Sequence, residues 1–307
     1  MSAWLDAFVP CFGLLLLGAV LKRRLLPDDR VWAGMEKLVF WVLLPGLIIA
    51  ALAEVDLARL PLGPMAATIW VALLIGTGIS VALARALGQG PAALTSVVQG
   101  GIRFNNLIGF AIGGALFGAD GLVLAAVATG LIVPCVQLIT VMTFALAMPP
   151  AGAARIEPMR VVMQVLRNPL MLACMAGFAI AALGGLPPGI KPMVASLGRA
   201  SVALGLLCVG AALSLASFSD RLPVQAATGA LKLIGMPLIT WACAMAFGLD
   251  GLPAIIAILF MALPTAATSY VMARAMGGDA PLIAAITTTE HIAALITLPL
   301  WLMLLSR

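Results

Sequence analysis

Three short stretches of an otherwise apolar chain carry groups able to bind or move charge. The first is GGIRFNNLIGF, in which Arg103, Asn105 and Asn106 fall within one run of four residues. The second is MALPTAATSYVMAR, in which Pro264 is followed by Thr265, Thr268, Ser269 and Tyr270. The third is the pair Glu290–His291, which includes the only histidine of the chain. A guanidinium can give a carboxylate two parallel hydrogen bonds, and neutral amides and hydroxyls can orient it. A carboxyl beside an imidazole can hold an exchangeable proton. The chemistry that suits these groups is binding of a small anion at Arg103, Asn105, Asn106, Pro264, Thr265, Thr268 and Ser269. Glu290 and His291 would supply ion or proton coupling.

Composition says what must position them. Of 307 residues, 63% are hydrophobic and only 9% are charged, against about a quarter charged in a soluble domain. The surface of this chain must therefore face lipid. About 20 apolar residues cross one bilayer core, so the length allows about ten crossings joined by short loops. Breaks at charges, Gly and Pro give ten apolar segments: 4–21, 31–53, 64–87, 92–117, 122–147, 169–183, 193–216, 223–249, 253–276 and 281–305. One long polar connection, 148–168, falls at the midpoint and separates 1–147 from 169–307. Residues 14–20 look like the core of a signal peptide, but the positive charges Lys22, Arg23 and Arg24 follow them. A signal peptide has its positive charge first, so a retained first helix is expected.

Lys and Arg sort by side. The odd-numbered connections hold Lys22, Arg23, Arg24, Arg30, Arg85, Arg155, Arg160, Arg167, Arg221 and Arg274, and the even-numbered ones only Arg59 and Lys191. The positive-inside rule then makes the odd connections cytoplasmic and places both termini outside. The two halves also resemble each other. Residues 114–128 read GALFGADGLVLAAVA and residues 273–287 read ARAMGGDAPLIAAIT, aligning Gly118 with Gly277 and Asp120 with Asp279. Halves of five spans each must sit inverted relative to one another, and inverted repeats are a signature of transporters.

Segments four and nine, equivalent in the two halves, are also where helices should break. Gly100 and Gly101 weaken one, and Pro264 removes a backbone hydrogen bond from the other. In lipid, freed backbone groups are tolerated only beside protein or a wet cavity, and paired interruptions of this kind point to a transporter's binding site. Arg103 lies roughly 18 Å along the helix from Pro91, near mid-bilayer, where a charge costs at least ~2.5 kcal/mol.

Plainer readings stand beside these. Asn, Thr and Ser in membrane helices hydrogen-bond neighbouring helices, Pro264 can serve as a simple kink, and Arg103 can sit in a structural salt bridge or carbonyl clamp. Glu290 has two readings: a proton carrier, or a structural group that neutralises Arg103 or caps backbone freed by the breaks. His291 can be a satisfied core residue. Lys232 is a second anion contact or snorkels to the interface. Arg199 lies toward the outer end, and Glu36 and Lys37 are interfacial.

Other classes find little support. An enzyme would need a nucleophile–base pair or a metal cluster, and the chain has one histidine and no Gly-x-Ser-x-Gly elbow. The five cysteines are widely spaced inside apolar runs, as packing residues are. No metal, cofactor or nucleic-acid partner is expected. A passive channel or uniporter for small anions and a non-transporting membrane sensor remain as alternatives to a carrier.

The motifs GGIRFNNLIGFAIGGALFG, VLRNPL and MALPTAATSYVMARAMGGDAPLIAAITTTEHIAALITLPLWL, with LVFWVLLPGLIIAALA around Pro45, resemble the auxin efflux carrier family over essentially the whole chain. The resemblance implies ten transmembrane helices in two inverted five-helix repeats, a fold related to bile acid/sodium symporters, with broken helices four and nine crossing at Asn105, Asn106, Pro264 and Thr265. It implies a dimerising scaffold of helices one, two, six and seven. Helices three to five and eight to ten would form a transport domain that moves by alternating access. Bacterial members include malonate and other dicarboxylate carriers, and plant members export auxin. A bacterial inner-membrane carrier is expected here, with the coupling ion, proton or sodium, left open and a proton, or uncoupled uniport, preferred. The plant pattern has a proline at the first crossover, and here no Pro follows Asn105 and Asn106, so an auxin-like substrate is not implied.

Overall fold

A computed structural model describes residues 2–148, 163, 167–213 and 221–305. Arg155 and Arg160 of the midpoint connection, and the end of the segment expected over 193–216, lie outside the described residues. Among the described residues the chain is all helical, with no strand. The helices are α1 (Ser2–Arg24), α2 (Asp29–Leu52), α3 (Leu62–Ala86), α4 (Pro91–Ile102), α5 (Asn106–Ala147), α6 (Pro169–Ala182), α7 (Ile190–Ala212), α8 (Leu222–Ala246), α9 (Gly251–Ala262), α10 (Thr268–Met276) and α11 (Ala280–Leu305).

Among the described residues seven helical runs are long and apolar enough to cross a membrane, with α4 and α5 counted together as one run of 57 residues. At 1.5 Å per residue such a run would measure about 86 Å if straight, nearly three bilayer cores, and it is not straight. It leaves helical geometry after Ile102 and again at Gly118, whose φ of 61° and ψ of −140° only glycine adopts without strain. α6 and α9 are shorter apolar helices.

The ends follow local chemistry. Asp28 and Asn168 accept hydrogen bonds from the backbone N–H two residues on, at the starts of α2 and α6, and Pro91 and Pro169 occupy first-turn positions that need no N–H. Gly277, at φ 80°, closes α10 in the left-handed conformation. α2 and α8 each contain a π turn, at Val39–Leu43 and Leu231–Gly235, just before Pro45 and Pro237. The wider turn gives room to a proline ring that would otherwise meet the carbonyl four residues back.

By internal contacts the chain forms two compact units, each drawing on both halves of the sequence. One comprises Met1–Leu62, Asn106–Val133 and Leu166–Ala212. Within it α1 and α7 touch backbone to backbone: a Cβ on Gly18 would lie 2.0 Å from the Leu207 carbonyl oxygen, and one on Gly210 1.8 Å from that of Leu15. Small residues at helix crossings are the usual means of close packing in lipid. The second unit comprises Gly63–Asn105, Pro134–Val165 and Leu213–Arg307. Here Trp301 donates its indole N–H to the Leu233 carbonyl at 2.8 Å, seating α11 on the π turn of α8. Asp279 ties together the starts of three helices. Its carboxylate pairs with Arg221 before α8 at 2.7 Å and caps Leu282 of α11 at 3.0 Å. Its backbone N–H reaches Ala92 of α4 at 3.2 Å.

The break expected in segment four comes just beyond Gly100 and Gly101, at the end of α4 after Ile102. The two glycines also provide clearance: a Cβ on Gly101 would lie 2.3 Å from Ser80 Oγ, and one on Gly100 2.8 Å from methyls of Ile286 and Thr228.

The α1–α7 crossing yields a direct test. Gly210→Leu should lower the thermal midpoint of the detergent-solubilised protein, by the equivalent of about 1–3 kcal/mol or more for overpacking. Gly13→Leu, on the same apolar background with open space around its Cβ, should change it little.

Candidate functional site

Two helix interruptions meet in the second unit. α4 ends at Ile102, and Arg103 turns extended (φ −76°, ψ 162°) while its N–H still closes the last turn onto Gln99 at 2.9 Å. α9 ends at Ala262, and Leu263 is extended in the same way (φ −65°, ψ 144°). The cause at Leu263 is local: a residue before proline is pushed out of the α region, and Pro264 has no N–H to continue a helix.

The two extended stretches satisfy one another. Asn105 N–H donates to the Pro264 carbonyl at 2.9 Å, and the Thr265 hydroxyl donates to the Gln99 carbonyl at 3.2 Å. The Phe104 ring packs against Phe260 with centroids 5.8 Å apart. Ser269 Oγ lies 3.4 Å from Thr265 Oγ1. Thr265, Ser269 and Asn105 are buried, the last at 3% exposure.

Glu290 and His291 each serve a different interruption, which is how two neighbours pointing about 100° apart on α11 both take part. Glu290 Oε2 accepts the freed Thr265 N–H at 2.8 Å, so of its structural readings the geometry shows the backbone cap. It makes no ion pair with Arg103. His291 Nδ1 lies 2.7 Å from the Thr287 carbonyl, an acceptor only, so Nδ1 carries the proton. Nε2 is then left to accept from Asn105 Nδ2 at 3.2 Å.

Arg103 is half-buried. Its guanidinium donates to Thr268 Oγ1 at 2.9 Å, at the first residue of α10, and contacts Met272 Sδ at 2.9 Å one turn on. No carboxylate among the described residues pairs with it, and its buried Nε has no partner. The positive end of α10 and a guanidinium thus share one spot.

Eight of the nine residues singled out from sequence therefore gather around the two interruptions. Asn106 does not join them: its Oδ1 accepts from Thr129 Oγ1 at 3.1 Å, in the other compact unit. Snorkelling of Lys232 is corrected too. The side chain is 0% exposed, on the π turn of α8, with no hydrogen bond to Nζ. Gln99, 1% exposed with both amide atoms unpartnered, was not foreseen; the available signal was a lone amide one turn before Arg103 in an apolar run. Among the described residues no three His, Cys, Asp or Glu side chains are placed to hold a metal ion.

Residues 5–302, nearly the entire chain, match the model of a family described as membrane transport protein. The match bears out the resemblance to the auxin efflux carrier family at family level and does not reach the malonate-type branch. No curated protein matches the chain.

The Thr265 cap separates Glu290 substitutions. Glu290→Gln keeps an acceptor for the buried N–H and Glu290→Leu does not. Leu should therefore be the less stable by about 1–3 kcal/mol, the cost of an unsatisfied buried donor, measured as thermal midpoints in detergent.

Proposed function

This chain belongs to the membrane transport protein family, a family of transporters and not of enzymes, and we propose that it is a secondary active transporter of small organic anions, carboxylates foremost, working by alternating access. The observation that carries this reading is Arg103: a half-buried cation beside the start of α10, with no acidic partner among the described residues. In an apolar surround such a charge calls for an anion, and a carboxylate fits a guanidinium in a bidentate manner. Arg103, Thr268, Ser269, Thr265, Asn105 and Pro264 are assigned to the substrate site. Glu290 and His291 are assigned to coupling, with a proton preferred to sodium as the driving ion.

The finer architecture belongs to the same proposal. The family match and seven apolar runs make the chain a multi-pass integral membrane protein. Dividing the 57-residue run at Gly118 alone, so that α4 and the first part of α5 make one broken crossing, and adding α6 and the broken α9–α10 run, gives ten crossings. Two inverted repeats are supported by a feature the alignment did not use. At the offset of 159 residues that pairs Gly118 with Gly277 and Asp120 with Asp279, Asn105 falls opposite Pro264. These equivalent residues are the ones joined backbone to backbone at 2.9 Å, as residues near a local two-fold axis would be. The bacterial inner membrane, termini outside, a scaffold of helices one, two, six and seven, and a homodimer complete the reading.

Uptake of labelled malonate and a panel of small carboxylates into proteoliposomes, with and without an imposed proton gradient, tests it. Accumulation driven by the gradient is expected; downhill flux alone would indicate the uniporter or channel, and no flux of any carboxylate would refute the substrate class. Arg103→Ala should weaken carboxylate binding by about 10- to 150-fold, the loss of one or two charge-assisted hydrogen bonds, read by titration calorimetry. Glu290→Gln should abolish gradient-driven accumulation while leaving exchange across the membrane. Equal loss of both would remove Glu290 from coupling.

A further inference from the structure

Three fully buried charged or amide side chains in the second unit have polar atoms without partners: Lys232 Nζ, Glu290 Oε1, and both Oε1 and Nε2 of Gln99. They lie on three packed helices, α8, α11 and α4, and the glycines between them show how closely they converge. A Cβ on Gly100, next to Gln99, would sit 3.7 Å from Glu290 Oε1. A Cβ on Gly229, one turn before Lys232, would sit 3.8 Å from Glu290 Cγ. No ion pair within 4.0 Å joins Lys232 and Glu290.

The unpartnered atoms are complementary. An ammonium only donates, a carboxylate oxygen only accepts, and an amide does one on each side. Gln99 therefore has the chemistry to accept from Lys232 through Oε1 and donate to Glu290 through Nε2, directly or through one bound water. An isolated buried ammonium or carboxylate is expensive, whereas a paired one is tolerated.

We propose that Lys232 is the built-in counter-charge of Glu290, with Gln99 bridging the two in a net-neutral buried triad behind the α9–α10 interruption. In this role Lys232 is a positioning residue. Its charge holds the Glu290 carboxylate in place, and the other oxygen of that carboxylate caps Thr265. The inference concerns the group assigned to coupling above, but it does not depend on which solute is carried.

A double-mutant cycle on the purified full-length protein tests it through stability, which needs no substrate. Lys232→Met removes the charge at nearly constant volume and leaves Glu290 unpaired; Glu290→Gln leaves Lys232 unpaired. Each should lower the thermal midpoint by about 5 °C or more, and the double variant should recover at least half of the combined loss. Losses that simply add would overturn the pairing. If a single variant fails to fold, folded double variant supports the proposal, and failure of the double variant as well overturns it. Lys232→Arg, which keeps the charge, should retain more stability than Lys232→Met; the reverse order would assign Lys232 to packing alone. Absence of carboxylate flux in the wild type would refute the substrate reading and leave this cycle intact.

Discussion

Everything in the second unit depends on how two interrupted helices dispose of their unpaired backbone groups. In water the cost of a broken helix is small, because solvent takes up the freed N–H and carbonyl groups. Within a hydrocarbon layer each such group costs several kcal/mol unless protein supplies a partner. Here much of the supply is mutual: Asn105 N–H finds the Pro264 carbonyl, and the Thr265 hydroxyl finds the Gln99 carbonyl. One interruption alone would leave both without an answer. The two are therefore a single structural feature, and the glycines of α4 allow the neighbouring helices close enough to enclose it.

What the interruptions cannot settle between themselves falls to α11. The Thr265 N–H, exposed because Pro264 has no helix to continue, is capped by Glu290, and the Asn105 amide is met by His291. A carboxylate is a stronger acceptor than a carbonyl, so Glu290 is well matched to a buried donor freed by a helix interruption. The consequence is that ionisation at Glu290 and geometry at the α9–α10 interruption are one variable. Any event that changes the charge of this carboxyl changes the strength of the bond that holds Thr265. In the proposed carrier this is the physical link by which an ion gradient would act on the substrate site, and it needs no long pathway.

Much of this was legible in the sequence, and the limits have physical causes. Pro264 could be read directly, because a missing N–H and the restriction on Leu263 are properties of the covalent chain. Arg103 could be read as well, because a charge some 18 Å into an apolar run has few bland explanations. Gly100 and Gly101 marked the right segment, whose helix ends one residue beyond them, but their low helix propensity did not reveal that they also give clearance for Ser80, Ile286 and Thr228. The destination of Asn106 was hidden because consecutive residues at a helix start diverge. Asn105 turns toward Pro264 and His291, and Asn106 toward Thr129. Gln99 escaped notice because its importance lies in its neighbours on α8 and α11, which are more than a hundred residues away in sequence.

Charge balance constrains the proposed transport cycle further. Arg103, Lys232 and Glu290 sum to one formal positive charge in the empty site. A monoanion cancels it, so the loaded site is neutral and moves through an apolar surround more cheaply than the empty one. That asymmetry favours exchange over net flux. A dianion such as malonate overshoots by one charge, and neutrality returns when Glu290 takes up a proton, leaving the positive charges of Arg103 and Lys232 to balance two negative charges in the sum. On this argument the number of protons carried with the substrate follows from the substrate's own charge: none for a monoanion and one for a dianion. Coupling is then a condition of electrical neutrality at the site, imposed by the low dielectric around it, and the same residues serve carriage with or without a proton.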